Sequence, residues 1–183
     1  PFVCQLWGED SDGRIYLLRE LYQSQQTVNQ LAPQIEAMTG GRGIEATVAD
    51  HDAEDRATLG EYGIKTVAAD KRVKTGLDAV AERLKVAGDG RPRLYIVRDA
   101  TLGQDTRLAE MRRPTSTAQE FPGYVWPETK AGRAADEMPV KADDHGLDAL
   151  RYMVMYLDGG AGPTVQVTRY AQSNFSTPQR PRR

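Results

Sequence analysis

The chain has 183 residues, 39% of them apolar and 27% charged, with a formal net charge of −2. That balance belongs to one globular domain with a real core, and it excludes a bulk electrostatic case for nucleic-acid binding, so any such surface has to be local. One cysteine, Cys4, excludes an internal disulfide framework and points to a reducing compartment; no apolar run reaches membrane-span length, and no signal peptide opens the sequence.

The first residue is Pro1 rather than Met, and Phe2 to Trp7 reads as a strand already under way, as expected of a piece of a longer chain. Residues 2–7 and 14–20 are predicted as two strands of a hairpin, joined through the turn-forming stretch 9–13. A helix is predicted over 27–38: Thr27 can cap it, Val28, Leu31, Ile35 and Met38 share a face, and Gly40-Gly41 ends it, with Pro33 the discordant residue. A short strand over 44–49 ends at Asp50, and a short helix over about 53–62 closes at Gly63. Residues 66–68 form a brief strand, and 71–86 a helix with Val73, Leu77, Val80 and Leu84 in register. Residues 94–97 read as a strand, 106–111 as a short helix, 112–119 as loop, 124–126 as an extended segment and 127–143 as a polar loop. A last helix runs over about 144–157, and residues 158–183 turn Gly- and Pro-rich and then basic. A hairpin followed by alternating helix and strand implies a mixed sheet with helices on its faces.

No G-x-x-x-x-G-K-[ST] sequence is present, so no nucleotide-driven motor lies in this chain. Gly159 to Thr164 is Gly-rich but lacks the lysine and reads as a linker, and cysteine and histidine are too few for a structural zinc site. Cys4 sits inside a strand pattern, where packing explains it better than nucleophilic chemistry. Carboxylates are the chemistry left. Asp50 stands at a strand end, where sites gather in such sheets; Asp52 reads as a helix cap, with Glu54 and Asp55 favouring the macrodipole. Asp144 and Asp148 are four apart at the start of the last helix and repel by roughly 0.2–0.5 kcal/mol. Asp144 has two readings, a cap that accepts from the Leu147 amide or a ligand. Asp148 lies off the apolar stripe of Leu147, Leu150, Met153, Val154 and Leu157, beside Tyr152 and Met155, so its carboxylate is expected to meet protein or ligand. A divalent cation there would turn repulsion into ligation, and oxygen-only ligation suits Mg²⁺ or Mn²⁺; two such ions about 4 Å apart can clamp the attacking and leaving oxygens of a phosphodiester. His51 and His145 each adjoin a candidate ligand and read as exposed cap-region residues or as proton-transfer groups.

The stretch Pro139-x-Lys141-x-x-Asp144-His145-x-x-Asp148-Ala149-Leu150-Arg151-Tyr152 resembles the end of the nuclease domain of tailed-phage large terminase subunits. Four further pieces are similar to that family in the same order: Arg14-Ile15-Tyr16 to Tyr22, Val48-Ala49-Asp50, Lys71 to Val80, and Glu120-Phe121 to Tyr124-x-Trp126. The resemblance covers residues 1–157. It implies an α/β, RNase H-like mixed sheet flanked by helices, with the family's first and central strand, and the aspartate on it, absent from this chain. It implies a two-metal endonuclease, using Mg²⁺ or Mn²⁺, that cuts concatemeric double-stranded DNA during genome packaging in the cytoplasm of a bacterial host. Asp50, Asp144 and Asp148 would be catalytic and metal-ligating, with Asp143, His145 and Lys141 in support. Its partners would be double-stranded DNA, the ATPase domain, the small subunit and the portal, with no membrane. DNA contact would fall to Lys71, Arg72, Lys74, Arg91 and Arg93, with Arg112 and Arg113 a further basic pair, each cluster also readable as a solvated face. Tyr124 and Trp126 read as core, and Arg180 to Arg183 as a disordered terminus or a contact. Two rivals remain: a junction resolvase or repair nuclease of the same fold, and a non-catalytic DNA- and portal-docking module.

Overall fold

The computed structural model describes residues 1–50, 52–125 and 142–159. The hairpin is longer than the sequence predicts. Strand β1 (Phe2–Glu9) pairs antiparallel with β2 (Ile15–Gln23), and β2 pairs in parallel with β5 (Leu94–Ile96), which makes a three-stranded mixed sheet. A β-bulge sits in the hairpin: Leu6 opposes Arg19 and Trp7 opposes Leu17, so Leu18 has no partner in β1. Because side chains alternate along a strand, one extra residue inverts the parity of everything beyond it. Ile15 faces one side of the sheet before the bulge; after it, Glu20 and Tyr22 face that same side while Leu21 looks the other way.

The two faces carry separate cores. On one, Leu6 and Leu21, with Phe2 and Cys4 against them, pack on helix α1 (Val28–Thr39) through Val28, Leu31, Ala32, Ile35 and Met38, and on helix α2 (Ala53–Glu61) through Leu59. Gln30 reaches back to the Thr27 amide at 2.9 Å and fixes the start of α1, and Pro33 is accommodated inside the helix. Burial pushes the Cys4 thiol up to about 12, which leaves it a packing residue as expected. On the other face, Ile15, Leu94 and Trp7 pack against helix α3 (Val73–Leu84) and helix α6 (His145–Asp158) through Val80, Leu150 and Val154, with Met153 and Leu157 at the margin. Of the stripe predicted for the last helix, Leu147, Leu150 and Val154 are buried and Met153 and Leu157 partly so, while Arg151 and Met155, off that stripe, are buried as well.

Strand β3 (Thr47–Ala49) pairs in parallel with β4 (Thr66–Ala68) as a second sheet, so the single mixed sheet expected from the sequence is divided in two. Among the described residues, β1 and β3 each bond to a neighbour on one edge only, while α6 packs against both. The strand predicted over 44–49 shrinks to three residues because Ile44 finds no partner and lies exposed. Helix α4 (Thr106–Glu110) matches its prediction, but the loop predicted over 112–119 contains the start of a short helix α5 (Thr117–Glu120), capped by Ser116 and followed by a 3-10 turn over Phe121–Gly123.

Candidate functional site

Helix α6 carries the motif, and what fixes its start is not what the sequence suggests. Asp144 occupies the N-cap position, but its side chain makes no capping bond. Glu120 takes that role from a distant part of the chain: its carboxylate accepts from the amides of Gly146 at 2.9 Å and Leu147 at 2.8 Å, and from the Tyr22 hydroxyl at 2.6 Å. Of the two readings of Asp144, the cap that accepts from Leu147 is not made, because Glu120 already accepts from that amide. Glu120 is 1% exposed, and desolvation holds its carboxyl above the usual range against the pull of those three donors. A second buried carboxylate, Glu20, accepts from the Thr117 amide and hydroxyl and from the Thr101 hydroxyl at 3.0 Å. Gln5 completes the clamp, donating to Thr117 Oγ1 at 2.6 Å and to the Gly146 carbonyl at 3.0 Å. Gly146 lies so close to Thr117 that a Cβ has no room. Neither glutamate is among the expected site residues; the signal for Glu20 is a carboxylate within a strand between Leu17 and Tyr22, and for Glu120 its place at the head of the matching stretch Glu120-Phe121 to Tyr124.

The clamped helix packs against β3, the strand that leads into Asp50. Lys71, just before α3, forms an ion pair with Asp50, and its ammonium is held above its usual range by that bond first and by Tyr152 and Asp148 in addition. Burial pushes the Tyr152 phenol up, and Asp148 and then Asp50 push it further. Asp50 and Asp148, far apart in sequence, thus act on the same two side chains. Asp144 and Asp148 likewise both raise Tyr124 after burial has done so. Asp148 also accepts from Arg151 Nη2 at 2.7 Å. That guanidinium is buried, its carbon stands 4.8 Å from the Tyr152 ring centroid, and Nε and Nη1 have no hydrogen-bond partner among the described residues. Gly76 of α3 makes room for it: a Cβ there would stand 2.5 Å from Arg151 Cγ.

The remaining predicted residues divide. Asp143 turns away to pair with Arg113, whose Nε donates at 2.8 Å, and does so from a left-handed backbone at φ 51°. His145 opens α6 and is exposed. Asp52 caps α2 through the amides of Glu54 and Asp55, as expected. The basic clusters are largely neutralised at home: Arg72 pairs with Asp70 at 2.6 Å, and Arg93 and Arg14 share Asp89 at 2.8 Å each. Lys74 and Arg91 make no ion pair among the described residues. His51, Trp126, Lys141 and the predicted tail from residue 160 lie outside the described residues.

The donors available are carboxylate oxygens, which suit a hard divalent cation. Among the described residues no three His, Cys, Asp or Glu side chains are grouped closely enough to hold a metal ion. In this arrangement the carboxylate of Asp50 is turned to Lys71 and that of Asp148 to Arg151, so each meets a cation before it meets the other. No helix among the described residues is long and apolar enough to cross a membrane. Comparison with known protein families, curated proteins and solved structures gives no match to this chain.

Proposed function

We propose that this chain is the metal-dependent nuclease portion of a viral DNA-packaging enzyme, with an RNase H-like fold. One observation supports the proposal: Lys71 pairs with Asp50, and the charges of both Asp50 and Asp148 act on Lys71 and Tyr152. Among the described residues β1 and β3 each pair on one edge only and both pack against α6, an arrangement compatible with the fold that the resemblance implies. The unmade cap adds weight to Asp144, since Glu120 already performs the structural task that would otherwise account for it.

By the resemblance Asp50, Asp148 and Asp144 would hold the cations, although among the described residues they are not grouped closely enough to do so without moving. When bound, Mg²⁺ or Mn²⁺ supplies the Lewis acidity that polarises a phosphodiester and activates water. The protein's own part is positional. Glu120, Gln5 and Thr117 set the height of α6, the α3–α6 contact at Gly76 fixes Arg151, and Arg151 orients the Asp148 carboxylate. Lys74 and Arg91, exposed and without an ion pair among the described residues, are the cations of the predicted clusters left available to a DNA backbone.

Plasmid nicking in Mn²⁺ tests the proposal. Extended upstream to carry the family's first strand, the protein should nick, and Asp148→Asn in that background should lose nicking by at least about a hundredfold with its melting temperature retained. Cleavage confined to branched DNA would favour a resolvase, and binding of duplex without cleavage in any metal would favour a docking module.

A further inference from the structure

The sheet of β1, β2 and β5 has one end that neither hydrophobic core covers. Tyr16 lies opposite Tyr95 in the register, and their rings stack with centroids 5.1 Å apart. The bulge sets Leu18 over Gly8, where a Cβ would stand 2.9 Å from Leu18 Cδ1. Val97 donates its amide to the Leu17 carbonyl at 3.1 Å, which brings it alongside Leu18. Tyr16, Leu18, Tyr95 and Val97 belong to neither core, and Leu18 is 38% exposed and Val97 40%. Charge of both signs rims this apolar surface. Arg19 opposes Leu6 in the register and so shares its face with Gly8, two residues along β1. Arg98 and Asp99 occupy a tight turn, closed by the Ala100 amide on the Val97 carbonyl at 3.2 Å, with Asp99 left-handed at φ 61°. Arg19, Arg98 and Asp99 are exposed, and none makes an ion pair among the described residues. The acids nearby are already engaged: Asp10 accepts from the Tyr16 hydroxyl at 2.9 Å, and Arg14 and Arg93 share Asp89.

We infer that this end of the sheet is a self-association surface, on which a second copy of the chain packs about a two-fold axis. Such a contact sets one patch against itself, so it needs an apolar centre and charges that answer each other. Leu18, Val97 and the tyrosine pair supply the centre, and aromatic side chains with arginine are what protein interfaces favour. Arg98 and Asp99 are adjacent, so each copy offers the other a cation and an anion. A polyanion such as single-stranded nucleic acid fits less well. Asp99 would repel it, and the tyrosine rings stack on each other instead of standing apart for bases. Four side chains make a small centre, so the association is weak and depends on concentration. It does not depend on the reaction the chain performs.

The test is sedimentation equilibrium of the full chain at low salt, with the protein concentration raised stepwise and a melting curve for each variant. The wild-type protein should follow a monomer–dimer equilibrium. Leu18→Asp and Val97→Asp should each weaken the dimer at least about tenfold, because the two-fold axis buries the new carboxylate twice. Arg98→Asp and Asp99→Arg should each weaken it about three- to tenfold by setting like charges against each other, and the two together should return to within about threefold of wild type. Lys74→Glu makes a comparable charge change on α3 and should stay within about twofold. A monomer at every concentration overturns the inference, as does a dimer indifferent to both Leu18→Asp and Val97→Asp, whose interface then lies elsewhere. A double variant no better than the single ones overturns the two-fold pairing of Arg98 with Asp99. A monomer that binds fluorescein-labelled single-stranded DNA, and loses it in Leu18→Asp, assigns the surface to nucleic acid and overturns self-association.

Discussion

The carboxylate of Glu120 receives the amide of Leu147 at 2.8 Å, so α6 is capped by a residue from another helix rather than by its own N-cap aspartate. The same carboxylate accepts from Tyr22 on β2. The sheet, α5 and the motif helix are thereby joined at one buried point. Glu120→Ala would leave two amides and a phenol without their acceptor in a dry environment. The expected cost is about 3 kcal/mol, measured by urea denaturation, with a smaller cost for Tyr22→Phe.

Burial raises the Glu120 carboxyl, and the sign of the consequence is fixed. Between the ordinary glutamate value and the raised one, the folded state binds the proton more tightly than the unfolded state. The contribution is present at low pH and lost as pH rises through that interval. A plot of stability against pH above about 4.5 should therefore fall less steeply in Glu120→Gln than in the wild-type protein. An identical slope in the two proteins would show that Glu120 is not the group responsible.

Gly146 and Gly76 are close-approach positions. Gly146→Ala would push α6 off Thr117 and should cost roughly 1–3 kcal/mol by overpacking. Gly76→Ala meets the more flexible Arg151 side chain, so its stability cost should be smaller. Its effect should appear instead as weaker Mn²⁺ binding, because Arg151 holds Asp148. Parallel denaturation and metal titration of the two variants check this separation.

Neighbouring aspartates should behave differently. Asp143 is occupied by Arg113, whereas Asp144 is released from capping by Glu120. In the nicking assay Asp144→Asn should lose at least about tenfold, and Asp143→Asn should lose less than about threefold. The reverse order would exchange their roles.

The periodic elements were legible because their signals are local. Val28, Leu31, Ile35 and Met38, and later Leu147, Leu150 and Val154, bury the stripes that a 3.6-residue repeat predicts. Asp52 announced its cap in the same local way. Helix α5 escaped because four residues carry no periodicity, although Ser116 followed by Gln119 is a capping signal that could have revealed it. The strand expected from Ile44 failed for a tertiary reason, since β-propensity without a partner strand does not make a ladder. The expectation that Asp50 and Asp148 share a site comes from resemblance, whereas the Glu20 and Glu120 network was not expected at all. Its partners lie on β1, β2, α5 and α6, and burial of a carboxylate among distant donors leaves almost no trace in the sequence around it. The ion pairs that engage Lys71, Arg72 and Arg93 were hidden for the same reason: a run of cations does not display the aspartates that fold back on it.

The unpaired side of β1 bears on how the protein behaves at high concentration. Eight residues of extended backbone present donors and acceptors that no strand among the described residues takes up. Such a margin is a template onto which any other extended segment can add. The bulge at Leu18 increases the local twist, and the charge on Glu9 discourages addition at one end, so the chain carries two brakes on aggregation along this margin.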